Sequence, residues 1–235
     1  MEAYREVLGV EPGCQEAKQG MEECQQAEEL FENVMSGDVE KVRALLQRAK
    51  RAVVTARNQE GVTPLLAAAA EGHTAIVEEL VVQGADIEDT DKNSSTSLIL
   101  AAWKGHTNTV RLLLSRGARV DTRDDDDDTA LLLAAQEGHT ATVKELLLHK
   151  ADPGDRNREG RTGLTLAAGG GHVSTVRELL LQRAPFEETA LVAAIQGGHR
   201  GAARELQQRK DQLIFLGRQV RANTGQFYNC ASVQL

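Results

Sequence analysis

Aromatic residues are scarce in this sequence: one Trp, two Tyr and four Phe in 235 residues. Apolar residues still make up 41% of the chain, so a substantial core can form, but Ala, Leu and Val must fill it. Small side chains suit closely stacked helices better than a β-sandwich. Excess positive charge is missing as well. The net charge is −8 and the pI about 5.3, which argues against general nucleic-acid binding, where a basic surface must displace counterions from phosphate. The same balance argues against docking on anionic membranes. Cysteine is limited to Cys14, Cys24 and Cys230, an odd number with no CxxC pair. Neither a disulfide framework nor a structural zinc site is expected. Long hydrophobic runs are absent too. Stretches such as "LLAAAA", Leu65–Ala70, are far too short to span a bilayer. The opening "MEAYRE" has no apolar segment of the kind a secretory leader needs. A reducing cytosolic setting is expected, with the nucleus as the other compartment that fits.

What the sequence does have is repetition. Four stretches align: "GVTPLLAAAAEGHTAIVEELVVQGAD", "SSTSLILAAWKGHTNTVRLLLSRGAR", "DDTALLLAAQEGHTATVKELLLHKAD" and "GRTGLTLAAGGGHVSTVRELLLQRAP". Their threonines (Thr63, Thr96, Thr129, Thr162) and their Gly-His glycines (Gly72, Gly105, Gly138, Gly171) both step by 33 residues. A fifth copy, "ETALVAAIQGGHRGAARELQ", follows after a step of only 27. Each unit reads as two short helices. The threonine can cap the first, paired alanines allow close approach of a neighbour, and the Gly permits a positive φ between helices. The second helix carries apolar residues at helical spacing, as in Val110, Leu113 and Leu114. Helices this short are unstable alone, so neighbouring copies must stack and share a core.

The period of 33 with "TPL", "AA", "GH" and "GAD" resembles the ankyrin repeat over about Ala27 to Lys210. The resemblance implies an all-α repeat solenoid of helix-turn-helix units with projecting β-hairpins, and a concave face that binds other proteins. It organises the chain as an N-terminal helical or flexible segment (1–26), a capping unit (27–57), four repeats (58–90, 91–123, 124–156, 157–186), a C-terminal capping repeat and helix (187–220) and a flexible tail (221–235). The capping unit has Gly37-Asp38 in place of Gly-His. At the far end Gln207 and Gln208 replace apolar residues, as a terminal unit with nothing stacked on it requires.

The sequence also departs from the family pattern. The histidine of "TPLH" is replaced by Leu66, Ile99, Leu132 and Thr165, which exchanges polar bonding for apolar packing in three of four repeats. The turn glycine kept at Gly61 and Gly160 becomes Ser94 and Asp127, so two side chains are expected in a left-handed turn. Repeat four carries three glycines, Gly169–Gly171, and the hairpin after it is six residues short. The C-terminal third is therefore expected to be the least stable part.

Five of six histidines (His73, His106, His139, His172, His199) occupy one repeat position. One helix diameter of about 10 Å separates successive copies, too far for shared ligation of a metal. The aspartate run Asp124–Asp128 fails as a calcium loop, because Thr129 and Ala135 stand where such a loop needs Gly and Glu. Asp124 aligns with Asn58, Asp91 and Asn157 and reads as a turn residue, leaving Asp125 to Asp128 at a hairpin tip. That tip is either plainly solvated or a contact for a basic partner segment. Trp103, the single tryptophan, closes the first helix of repeat two beside Lys104. The resemblance implies that this pair and its equivalent Gln136-Glu137 face the groove, where tryptophan is a favoured binding anchor. The expected protein-binding residues are Trp103, Lys104, Gln136 and Glu137, with Arg123, Asp125, Asp126 and Asp128 beside them.

Outside the array, "YREVLGVEPG" (Tyr4–Gly13) resembles the start of a J-domain, but its His-Pro-Asp motif is absent. The segment "KDQLIFLGRQV" is expected to continue the last helix, with Leu213, Leu216 and Val220 folding back on the array. Val233-Gln234-Leu235 has the form of a strand-adding PDZ ligand. The resulting expectation is a monomeric, non-catalytic scaffold or adaptor with a protein partner and with no cofactor or metal. A chaperone-pathway accessory, or the binding part of a larger enzyme or scaffold, is the alternative.

Overall fold

The computed structural model describes residues 15–48, 51–58, 60–182 and 184–230. The J-domain-like Tyr4–Gly13 and the PDZ-like Val233–Leu235 lie outside them. The chain divides into two compact units, residues 1–130 and 131–235. Thirteen helices and no extended sheet occur among the described residues. The hairpins reduce to single antiparallel bridges, Thr90 with Thr96, Arg123 with Thr129 and Arg156 with Thr162.

In the first unit a long helix α1 (Gln15–Ser36) pairs with α2 (Val39–Arg48), followed by one turn, α3 (Arg51–Val54). Repeat one is α4 (Pro64–Ala70) and α5 (Thr74–Val82); repeat two is α6 (Ser97–Trp103) and α7 (Thr107–Ser115). The local signals act as their chemistry requires. Thr63 and Thr96 cap α4 and α6, accepting hydrogen bonds from Leu66 N and Ile99 N. Gly72 and Gly105 take φ of 73° and 76°, and only a residue without Cβ does so without cost. First helices stack on first helices, α1 on α4 on α6, and second helices on second, α2 on α5 on α7. Leu66 and Ile99, in place of the family histidine, are buried with at most 2% exposure. The hydroxyls of Thr74 and Thr109 share a hydrogen bond of 2.8 Å across the repeat boundary.

The second unit repeats the scheme with α8 (Ala130–Gln136) and α9 (Thr140–Leu148), α10 (Gly163–Gly169) and α11 (Val173–Leu181), and α12 (Glu188–Gln196) and α13 (Arg200–Cys230). Thr140 and Thr175 reproduce the hydroxyl pair at 2.8 Å. The shortened hairpin has a local cost. Thr189 lies inside α12 instead of before it, and the N-cap Glu187 makes no side-chain cap. Repeat five buries only Ala190, Ala194, Ala202 and Leu206, while Val192 and Ile195 stay 49% and 62% exposed. Gln207 and Gln208 are exposed as a terminal face demands, yet the first helix of the same repeat leaves its apolar side open.

Two expectations need correction. Helix α13 runs without interruption to Cys230, through residues 221–230 that composition assigns to a flexible tail. Leu213 and Leu216 lie on it but remain 40% and 52% exposed. They do not fold back, because the helix runs unbroken from Arg200 through Leu216, with no Pro to interrupt it.

Helix α9 ends in a Schellman turn: Ala151 N donates to Leu146 O at 3.1 Å and Lys150 N to Leu147 O at 3.1 Å. Its left-handed position, glycine in repeats one and two, is Lys150 at φ 69°. Lys150→Gly is expected to stabilise the second unit by about 1 kcal/mol, measured as a higher urea midpoint. Lys150 is exposed, so an unchanged midpoint would mean that the left-handed strain is compensated by contacts of the lysine.

Candidate functional site

The hairpin turns are built identically from non-identical residues. The side-chain oxygens of Asn58, Asp91, Asp124 and Asn157 each accept two backbone N–H groups, at 2.9 to 3.1 Å. Asp124 is thus a turn former. The third turn position is glycine at Gly61 and Gly160 and carries φ 60° at Ser94 and Asp127. Within this frame the aspartate run divides. Asp125 N donates to Asn93 O at 3.0 Å, and its carboxylate accepts the Ser94 hydroxyl at 2.6 Å. Asp128 turns inward to 9% exposure, which removes it from the rim where the sequence reading placed it. Of Asp125 to Asp128 only Asp125 and Asp126 are exposed, so the acidic tip presents two of those four carboxylates.

Arg123 belongs to another recurring device. Its guanidinium donates to the Asp127 carbonyl at 2.8 Å, as Arg57 does to Gly61 at 2.8 Å and Arg156 to Gly160 at 2.7 Å. Arg57 reaches on to Thr90 O and the Asp89 carboxylate, both at 2.6 Å, and Arg156 to Glu187. These arginines hold the hairpins in shape.

Trp103 closes α6 and is 41% exposed, and the Lys104 ammonium lies 4.1 Å from its ring centroid. Such stacking is worth about 0.5–1 kcal/mol at an exposed site, and it holds an aromatic face and a cation together. Lys104 caps the helix, its N–H donating to Leu100 O at 3.1 Å. Gln136 and Glu137 belong to the second unit, where the amide of Gln136 donates to Glu137 at 3.3 Å. The residues of the first unit thus form two fixed elements, the Trp103–Lys104 stack and the Asp125–Asp126 tip.

The histidines interlock the repeats. A Cβ built on Gly72 would fall 2.5 Å from His106 Nδ1, and one on Gly171 2.5 Å from His199 Nδ1. The Ala70 carbonyl accepts a hydrogen bond from His106 Nε2 at 3.0 Å. The rings of His73, His106, His172 and His199 each occupy the space that the preceding repeat's glycine leaves. Among the described residues no group of three or more His, Cys, Asp or Glu is placed to hold a metal ion. Carboxylates held below their ordinary range lie elsewhere: Asp38 by hydrogen bonds from Lys41, and Glu188 by one from Lys210.

The family model described as "Ankyrin repeats (3 copies)" matches residues 30–124 and 131–214. The chain is an ankyrin-repeat protein. Ankyrin repeats are in general protein–protein interaction modules, and the family is typically non-catalytic. No curated protein matches the sequence. No helix among the described residues is long and apolar enough to cross a membrane. In this ankyrin array α1 begins at Gln15, well before Ala27, and its face from Cys24 to Met35 walls a groove on the capping side. The signal was present as apolar residues at helical spacing from Cys24 to Met35, but it occurs once and so leaves no period.

Proposed function

We propose that this ankyrin-repeat protein is a non-catalytic scaffold or adaptor of the cytosol or nucleus that contacts a partner protein through Trp103 and Lys104, with Asp125 and Asp126 as an electrostatic rim. The observation that carries this reading is the half-exposed tryptophan stacked by its own lysine. A large rigid side chain that is already ordered loses little entropy when a partner covers it, and tryptophan is enriched among residues that dominate binding energy. Arg123, Asp124 and Asp128 support the hairpin in this scheme and make no direct contact with the partner.

Affinity capture from lysate tests it, comparing the wild type with a Trp103→Ala/Lys104→Ala variant checked for an unchanged melting temperature. Partners that bind through this surface are expected to weaken by about 2 kcal/mol or more, roughly thirtyfold. Equal recovery of every partner would remove Trp103 from the binding surface. Because Trp103 is the only tryptophan, its emission reports directly whether a captured partner covers it.

A further inference from the structure

The capping side of the first unit holds an apolar groove of about 790 Å³. One wall is a single face of α1: Cys24, Ala27, Phe31 and Met35 follow one another at helical spacing over about 16 Å. The opposite wall is Val62 of the first hairpin with Ala67 and Ala70 of α4. Met35 is 55% exposed and Phe31, Val62 and Ala70 are partly so, which leaves a strip of apolar surface in contact with water. The first helices α4, α6, α8 and α10 are seven residues long and α12 nine, whereas α1 has 22. Of the α1 residues on this wall, Cys24 belongs to the turns before Ala27, and Ala27, Phe31 and Met35 belong to the capping unit.

The charges around the strip have one sign. Glu28 and Glu32 line the α1 wall, and Glu60 and Glu71 the facing one, all four exposed. The single cation among the described lining residues, Arg57, is committed to Asp89 and to the Gly61 and Thr90 carbonyls. An apolar strip of about three helical turns between rows of carboxylates is complementary to a helix with an apolar stripe and basic flanks. The chain's own first 14 residues cannot satisfy it, since they bring three glutamates against one arginine.

We infer that this groove is a docking site for a basic amphipathic helix of another protein, whose apolar stripe lies against Phe31, Met35 and Val62 and whose lysines or arginines face Glu28, Glu32, Glu60 and Glu71. The inference rests on the protein-binding reading of the family but not on Trp103.

The test is calorimetric titration of the full chain with a synthetic leucine–lysine peptide of about 14 residues, roughly four turns, its leucines at i, i+3, i+4 and i+7. The expected result is saturable binding that weakens with salt, together with slower alkylation of Cys24, the exposed thiol on this wall. Glu28→Lys/Glu32→Lys and Met35→Asn, all at exposed positions, are each expected to lose about tenfold or more in affinity. Trp103→Ala/Lys104→Ala is expected to bind as the wild type does. Four outcomes overturn the inference: equal binding of a scrambled peptide of the same composition, equal binding of a leucine–glutamate version, full retention by the groove variants, or a dimer of this chain that Met35→Asn dissolves. Peptide binding that survives while lysate partners ignore Trp103 keeps the groove and discards only the tryptophan surface.

Discussion

Gly72→Ala is expected to destabilise the protein by about 3 kcal/mol, whereas Gly198→Ala at the same repeat position is expected to cost only about 1 kcal/mol. Both glycines have nearly the same backbone, φ 73° and 74°, so the left-handed penalty is common to the two. They differ in what a methyl group would meet. At Gly72 it strikes the His106 ring, with Nδ1 at 2.5 Å, Cγ at 2.6 Å and Cε1 at 2.7 Å; at Gly198 nothing lies within 4 Å. Cγ cannot swing away as the end of a flexible chain can. The whole ring has to leave, and its hydrogen bond to Ala70 O goes with it, at about 1 kcal/mol. Urea titration of both variants gives the difference. A double-mutant cycle isolates the steric part: in a His106→Ala background, Gly72→Ala should fall to the cost seen at Gly198. Equal penalties at the two glycines would show that backbone strain alone governs the position.

The second large effect concerns cooperativity. Leu179 of α11 is fully buried, and α11 packs against both α9 and α13. Leu179→Ala is expected to cost about 2–5 kcal/mol. Repeat five buries three alanines and one leucine among its apolar residues, so its stability comes mainly from the surface that repeat four offers it. Native-state hydrogen exchange should therefore show amides in α12 and the first turns of α13 losing protection by at least about thirtyfold, while α4 to α7 of the first unit keep theirs. Uniform loss across both units would mean that the chain unfolds as one block, and the expectation of a weak C-terminal third would fail with it.

The repeat architecture was legible because each of its signals recurs. Thr63, Thr96 and Thr162 cap, Gly72 and Gly105 turn, and Leu66, Ile99 and Leu132 fill the core, all at a constant spacing. Even the left-handed turns at Ser94 and Asp127 followed from their alignment with Gly61 and Gly160. What was not legible occurs once or depends on orientation. Neither the first turns of α1 nor the last of α13 belong to any repeat, so no period marks them. Asp128 and Asp126 are indistinguishable in composition, yet the turn directs one inward and the other to solvent. Arg123 read as a partner-binding residue, and its bond to the Asp127 carbonyl, like those of Arg57 and Arg156 in their own hairpins, needed the geometry. The groove on the capping side joins residues of α1, a hairpin and α4, a relation that no local pattern encodes.

The histidine–glycine interlock also sets how the molecule responds to mechanical tension. The rings of His73, His106, His172 and His199 sit on the glycine of the repeat before them, so within each compact unit these repeats form latches that face one way. The last of them, His199 on Gly171, secures the unit with the fewest large buried side chains. A pull on the C-terminal end would release that latch first, and every further repeat given up would lengthen the chain by about 110 Å, the contour of 33 extended residues. An array built this way yields in steps from one end while its amino-terminal repeats stay folded.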